Sequence, residues 1–129
     1  MPLVTLTLSD STPLPRRRQL LDAVHAALVS VGVPAADRFQ RVIALPGDAF
    51  VFDADYPDAP GSGPARDARF AIVEVLWSAG RSVKVKKQLL AQLTEQLRRI
   101  DFDPAQLMLV FKETTWENWS FARGELLHV

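Results

Sequence analysis

The chain has 129 residues, of which 48% are hydrophobic and 23% are charged, as is typical of a soluble globular domain with a real core. Its 15 basic and 15 acidic residues cancel, and no basic stripe favours a nucleic-acid partner. The lack of cysteine excludes disulfides, thiol catalysis and cysteine metal sites. Without a long apolar run or a signal-peptide layout, we expect one cytoplasmic domain over 1–129 and no membrane partner.

The first predicted element is a strand, "PLVTLTL", headed by Pro2. Methionine is commonly trimmed before a small residue, and a proline there often only shapes the chain end. Trimming of Met1 would give Pro2 a free secondary amine, and an α-amino group titrates near pH ~8. Such a nitrogen can act as a general acid or base near neutral pH. From "MPLV" alone, the purely structural interpretation remains the favoured one.

An amphipathic helix is predicted next. Ser11 or Thr12, just before two prolines, can start it, and Gly32 followed by Pro34 ends it. A β-rich run containing "RFQRVI" completes the first unit. The apolar residues of the helix recur on one face at helical spacing: Leu20, Leu21, Val24, Ala27, Leu28 and Val31.

A β-like piece, "AFVF", leads into a loop rich in proline, glycine and aspartate over about 53–68. Asp53, Asp55 and Asp58 suggest a calcium loop, but the spacing lacks the rest of the twelve-residue pattern, including its final glutamate. A solvated loop is the favoured interpretation. His25 and His128 are too far apart in sequence to indicate a metal site.

The second half begins with the β-rich run "RFAIVEVLW", in which Glu74 is expected to make a polar contact at a subunit interface. Ser82 can cap the helix that follows, before another β-rich run. The apolar stripe of this helix consists of Leu89, Leu90, Leu93, Leu97 and Ile100.

The two halves repeat one pattern. Both "RRRQLLDAVHAALVSVGVPAADRFQRVI" and "KVKKQLLAQLTEQLRRIDFDPAQLMLVF" run from a basic cluster and "QLL" through a helical stretch to a β-rich run. We predict β-α-β units over about 2–46 and 69–113, with a C-terminal segment over 114–129. Right-handed crossovers then give an α+β fold, a four-stranded mixed sheet with both helices on one face. The other sheet face would be bare and apolar, which favours subunits packed sheet to sheet.

A twofold β-α-β repeat that begins with Pro2 resembles the tautomerase superfamily and, within it, malonate semialdehyde decarboxylase. Three stretches carry the resemblance: "LLDAVHAALV" followed by "VPAADRFQ", "SAGRS" at the turn before the second helix, and "NWSFARG", which is similar to the family's "DWSFGRG". The resemblance implies a homotrimer that acts on a small oxo acid or its enol, without metal or cofactor, using an amino-terminal proline.

Carried over by position, Pro2 would be the general acid or base and Asp37 would activate water or support proton transfer. Arg81 would hold the substrate carboxylate, because a guanidinium can bond both oxygens at once. Trp119 and Phe121 would form an aromatic wall beside the proline. Each residue also has a structural interpretation: a loop or cap for Asp37, a solvated turn for Arg81, and core packing for the two aromatic residues.

One departure affects the reaction. The family's second arginine aligns with Ala79, and Arg38, Arg66 or Arg69 would have to compensate. Decarboxylation requires a firm hold on the carboxylate, so keto–enol proton transfer is the favoured reaction, with decarboxylation or hydration as variants. Two alternatives remain open: a non-catalytic trimeric module that keeps the fold, and a small-ligand binding protein.

Overall fold

Two β-α-β units build the fold. The computed structural model describes residues 1–63 and 65–126, so that His128 lies outside the described residues. The first unit comprises β1 (Leu3–Ser9), α1 (Leu14–Ser30) and β2 (Phe39–Leu45). The second comprises β3 (Ala71–Ser78), α2 (Val83–Arg99) and β4 (Leu107–Thr114).

The strands form one mixed sheet in the order β2-β1-β3-β4. β1 runs parallel to β2, and β3 runs parallel to β4, because a helix connects each pair. β1 and β3 meet antiparallel at the centre of the sheet, where Leu3 lies opposite Leu76. The predicted four-stranded mixed sheet and the duplicated unit are confirmed.

The core lies between the sheet and the two helices, which pack against each other. Alternate residues of β1 and β3 point into it, because side chains along a strand alternate between the two faces. The predicted stripes of both helices face this layer, except that Leu90 is exposed. Among the core residues with almost no exposure are Val4, Leu6, Val75, Trp77, Leu20, Leu28, Leu89 and Leu97.

The opposite face of the sheet is only partly apolar, unlike the prediction. It exposes Phe39, Ile43 and Met108, yet it also carries polar contacts. The Lys112 ammonium lies 2.6 Å from the Glu74 carboxylate, on neighbouring strands. Glu74 thus has a partner within its own chain.

The prediction of a β-like piece at "AFVF" was wrong. Pro46 leads the chain into a short 3₁₀ turn at Gly47–Ala49, and the residues after it form no strand. The rings of Phe50 and Phe52 instead gather on Phe70, with centroid distances of 5.9 and 4.6 Å. Aromatic clustering therefore replaces strand pairing in this segment.

The loop between the units is tied by a buried amide to the 3₁₀ turn Pro104–Gln106, which directly precedes β4. Gln106 is fully buried; its Oε1 accepts from the Asp67 N–H at 3.1 Å, and its Nε2 donates to the Ala65 carbonyl at 3.0 Å.

Hydrogen bonds from the backbone N–H groups of Tyr56 and Asp55 lower the pKa of the Asp53 carboxyl. Within 1–63 and 65–126 no cluster of three or more acidic or histidine residues could hold a metal ion.

The two helices begin differently. Ser82 caps α2 as predicted, since its hydroxyl accepts from the Val85 N–H at 3.2 Å. α1 starts after Pro13 with no side-chain cap, so the predicted role of Ser11 or Thr12 was wrong. Proline at the helix start removes one donor that would need a partner. In the described ranges, neither these helices nor any other is long and apolar enough to span a bilayer.

Ser82→Ala is expected to lower the free energy of unfolding by about 1 kcal/mol, because it removes the cap of α2. The matched control is Ser11→Ala, at an exposed residue that caps no helix, with an expected effect below about 0.5 kcal/mol. Urea denaturation followed by circular dichroism measures both. Equal losses in the two variants would argue against the cap.

Candidate active site

The strand register brings three predicted residues to one end of the sheet. Pro2 directly precedes β1, Asp37 lies just before β2, and Arg81 follows β3. Because β1 is parallel to β2 and antiparallel to β3, the start of β1 lies beside the start of β2 and the end of β3.

An ion pair fixes the chain terminus at this edge. The α-ammonium nitrogen of Met1 lies 3.3 Å from Oδ2 of Asp37, and the two side chains are only 10% and 17% exposed. The Asp37 N–H donates to the Pro34 carbonyl at 3.0 Å, which holds the segment in a turn before β2. The predicted acid therefore faces the amino terminus of the chain.

A cavity of about 190 Å³ lies beside the terminus. Met1, Pro2, Trp119 and Phe121 line it together with Phe39. The ring of Phe121 lies 5.5 Å from that of Phe39 and 6.2 Å from that of Trp119, measured between centroids. The structure thus brings the predicted aromatic pair to the predicted proline.

Sequence reasoning missed Phe39. Its only signal was its position two residues after Asp37, at the first residue of a strand, where its ring is left exposed on the sheet face away from the helices. An exposed phenylalanine beside a predicted acid is a weak pattern, since the strand partner of Phe39 cannot be read from the chain.

Arg81 lies outside the lining of this cavity. Its guanidinium carbon sits 4.3 Å from the centroid of the Trp77 ring, and Nη1 donates to the Ser78 carbonyl at 2.7 Å. Burial lowers the pKa of the Arg81 guanidinium, while the charges of Glu113 and Asp37 raise it. Among the described residues no hydrogen bond or ion pair joins Arg81 to Asp37, and the ring of Trp77, which sequence reasoning missed, is what supports the guanidinium.

Within one chain, the cavity lining includes none of the three arginines that could replace the family's second arginine, namely Arg38, Arg66 and Arg69. The Arg38 guanidinium is held by Asp22 at 2.5 Å and by Gln40 at 2.8 Å. Arg69 pairs with Asp67 at 2.7 Å. Arg66 and Arg69 precede β3 and so lie at the opposite sheet edge.

The remaining described histidine is used structurally. Nε2 of His25 lies 2.9 Å from the Ala35 carbonyl oxygen, which ties α1 to the segment before β2. This contact gives His25 a place in the fold rather than in the cavity.

The family model Tautomerase_2, described as "Tautomerase enzyme", matches residues 37–122. The fold is similar to that of FG41 malonate semialdehyde decarboxylase inhibited by 3-bromopropiolate, with 30% identity and a TM-score of 0.84 over 96% of this chain and 92% of that chain. It is similar to another malonate semialdehyde decarboxylase structure, studied for decarboxylase and hydratase activities, with 28% identity and a TM-score of 0.83 over 96% and 93%.

A fused 4-OT that forms an asymmetric trimer shares the fold at 19% identity, with a TM-score of 0.70 over 96% of this chain and 94% of that chain. A search of curated proteins gave no significant match. The family model covers most of the chain, and the two decarboxylase structures cover nearly all of it, which confirms the resemblance drawn from the sequence. The chain belongs to the tautomerase family of enzymes.

Proposed function

We propose that Pro2, once Met1 is removed, transfers protons on a small oxo acid or its enol, so that the protein catalyses keto–enol tautomerisation. The observation that carries this proposal is the position of the amino terminus. It lies 3.3 Å from the Asp37 carboxylate and beside an aromatic cavity that Pro2 itself lines.

Removal of Met1 would change the site in two ways. While Met1 is present, the Pro2 nitrogen is a tertiary amide and cannot accept a proton. Its removal moves the free amine to Pro2 and enlarges the cavity, because Met1 is one of the lining residues. Asp37 then loses the ammonium with which it pairs, and the new terminal amine lies one residue further along the chain.

The proton transfer needs only groups of this chain and a water molecule. The Pro2 amine takes a proton from the carbon next to the carbonyl, the electron pair forms the carbon–carbon double bond, and the carbonyl oxygen takes a proton from a water molecule. The hydroxide left behind is neutralised by the proton on Pro2, and the reverse of these steps converts the enol to the keto form. Asp37 orients the water molecule or the carbonyl group for the transfer to oxygen. Trp119 and Phe121 line the cavity beside this amine and offer the substrate an apolar surface to pack against.

Arg81 is proposed to bind the substrate carboxylate. A guanidinium suits this role because it can donate two parallel hydrogen bonds to one carboxylate. Its stacking on Trp77 and its bond to the Ser78 carbonyl fix its direction before substrate arrives. Pre-ordering of this kind reduces the entropy lost on binding.

Decarboxylation and hydration are variants on the same residues, supported by the two related malonate semialdehyde decarboxylases. In decarboxylation the bond to the carboxylate carbon breaks, carbon dioxide leaves, and the remaining carbon receives a proton from Pro2. With Ala79 in place of a second arginine, Arg81 alone would bind the carboxylate. This favours tautomerisation, which needs a less firm hold on the carboxylate than decarboxylation does. The alternative is a non-catalytic trimeric module, supported by Ala79 in place of the family's second arginine.

The assembly proposed for this function is a homotrimer. One fused 4-OT of similar fold forms a trimer. In this chain Phe39, Ile43 and Met108 expose apolar surface on the sheet face away from the helices. Packing of that face between subunits would remove this surface from water.

Protein whose intact mass lacks methionine is expected to convert phenylenolpyruvate to its keto form, as followed by ultraviolet absorbance. Pro2→Ala is expected to lower kcat/KM by at least about 100-fold, because proton transfer by a positioned group contributes that much. A form that keeps Met1 is the matched control and is expected to be inactive. Full activity of Pro2→Ala would disprove proline catalysis, and no turnover by trimmed protein would favour the non-catalytic module.

Sedimentation velocity is expected to give the mass of three chains for the wild type. Ile43→Glu places a charge on the exposed sheet face and is expected to shift the protein to monomer. The matched control, Leu14→Glu, changes an exposed leucine at the start of α1 and is expected to remain trimeric. A monomeric wild type would refute this assembly.

A further inference from the structure

Lys86 and Glu113 form an ion pair at the same end of the sheet as the candidate active site. Lys86 lies in the first turn of α2 and Glu113 near the end of β4, and the ammonium of Lys86 bonds Oε1 of Glu113. Their side chains are 25% and 31% exposed. The Lys86 ammonium also lies 5.7 Å from the centroid of the Phe111 ring, which adds a second contact that fixes it.

Glu113 is also a neighbour of Arg81. It lies opposite Trp77 in the pairing of β3 with β4, and Trp77 is the ring on which the Arg81 guanidinium rests. The charge of Glu113 raises the pKa of Arg81, whereas burial lowers it. In the part of the chain that the structure describes, Glu113 nevertheless pairs with Lys86 and not with Arg81.

A carboxylate that is free to approach Arg81 would compete with a substrate carboxylate for its guanidinium. The Glu113 carboxylate, whose side chain is 31% exposed, is attracted by the cations on either side of it, so Glu113 released from Lys86 would approach the other nearby cation. Arg81 is that cation, because its guanidinium rests on the Trp77 ring, and Trp77 is the residue that Glu113 faces across the β3–β4 pair. A substrate would then have to displace Glu113 before it could bind.

We propose that Lys86 is a positioning residue that holds Glu113 and so keeps the Arg81 guanidinium available to the substrate carboxylate. This inference rests on the proposed role of Arg81 in binding. The availability of Arg81 matters more in this chain because Ala79 occupies the position of the family's second carboxylate-binding arginine. Lys86 acts through Glu113 and has no contact with substrate in this scheme.

The test compares Lys86→Gln, Glu113→Gln and the double variant in trimmed protein, with phenylenolpyruvate as substrate. Lys86→Gln is expected to raise KM about tenfold with little change in kcat, because binding is impaired before chemistry. Adding Glu113→Gln is expected to return KM to within about twofold of wild type, since the competitor is gone. A purely structural role for Lys86 would not give this rescue.

The matched control is Arg99→Gln, which breaks an exposed pair with Glu95 at the other end of α2. It is expected to leave KM unchanged. Thermal unfolding of every variant checks that the KM changes do not follow stability. A KM for Lys86→Gln within about twofold of wild type, or a double variant as weak as Lys86→Gln, would overturn the proposal.

A second readout needs no turnover. Phenylglyoxal modifies free arginine side chains, and peptide mass spectrometry gives its rate at Arg81. That rate is expected to fall several-fold in Lys86→Gln and to recover in the double variant, because Glu113 shields the guanidinium only in the first. If this pattern holds but Arg81→Gln retains the wild-type KM, the proposed role of Arg81 in substrate binding is wrong. The control of Glu113 by Lys86 would then still be supported. Unchanged labelling in Lys86→Gln refutes the inference itself.

Discussion

The pairing of β1 with β2 on one side and β3 on the other is the constraint on which the rest of the structure depends. β1 begins at the chain terminus and is central in the sheet, so the terminus is held between two other strand ends. Asp37 and Arg81 reach this edge only because one neighbour is parallel and the other antiparallel. A slip of one residue would turn every side chain of β1 to the other face.

Burial determines how strongly the charged groups at this edge of the sheet interact. The Met1 ammonium and the Asp37 carboxylate meet where both side chains are largely covered, and Arg81 rests on a fully buried indole. Charges in such places interact more strongly than they would in water. The charge of Glu113, near the end of the strand that pairs with β3, raises the pKa of Arg81, whereas burial lowers it.

The fold could be predicted from the sequence because it follows from periodicity and duplication. The stripes of Leu20 and Leu89 and their neighbours recur at fixed spacing, and the repeat supplies the topology. Much of the candidate site came from family resemblance, through short motifs around Asp37, Arg81 and Trp119. Phe39, Trp77 and the pair of Lys86 with Glu113 were missed, because contacts between distant segments leave no local pattern.

The covalent link between the two units has a consequence for how the site assembles. Asp37 belongs to the first β-α-β unit and Arg81 to the second, so neither unit alone contains both charges. The two charges reach the same sheet edge within one chain, so their effective concentration is set by the connecting segment rather than by the amount of protein. Gln106 shortens the free part of that segment by binding Ala65 and Asp67 to the turn that precedes β4. Dilution of the protein would therefore leave this encounter between the two halves unaffected.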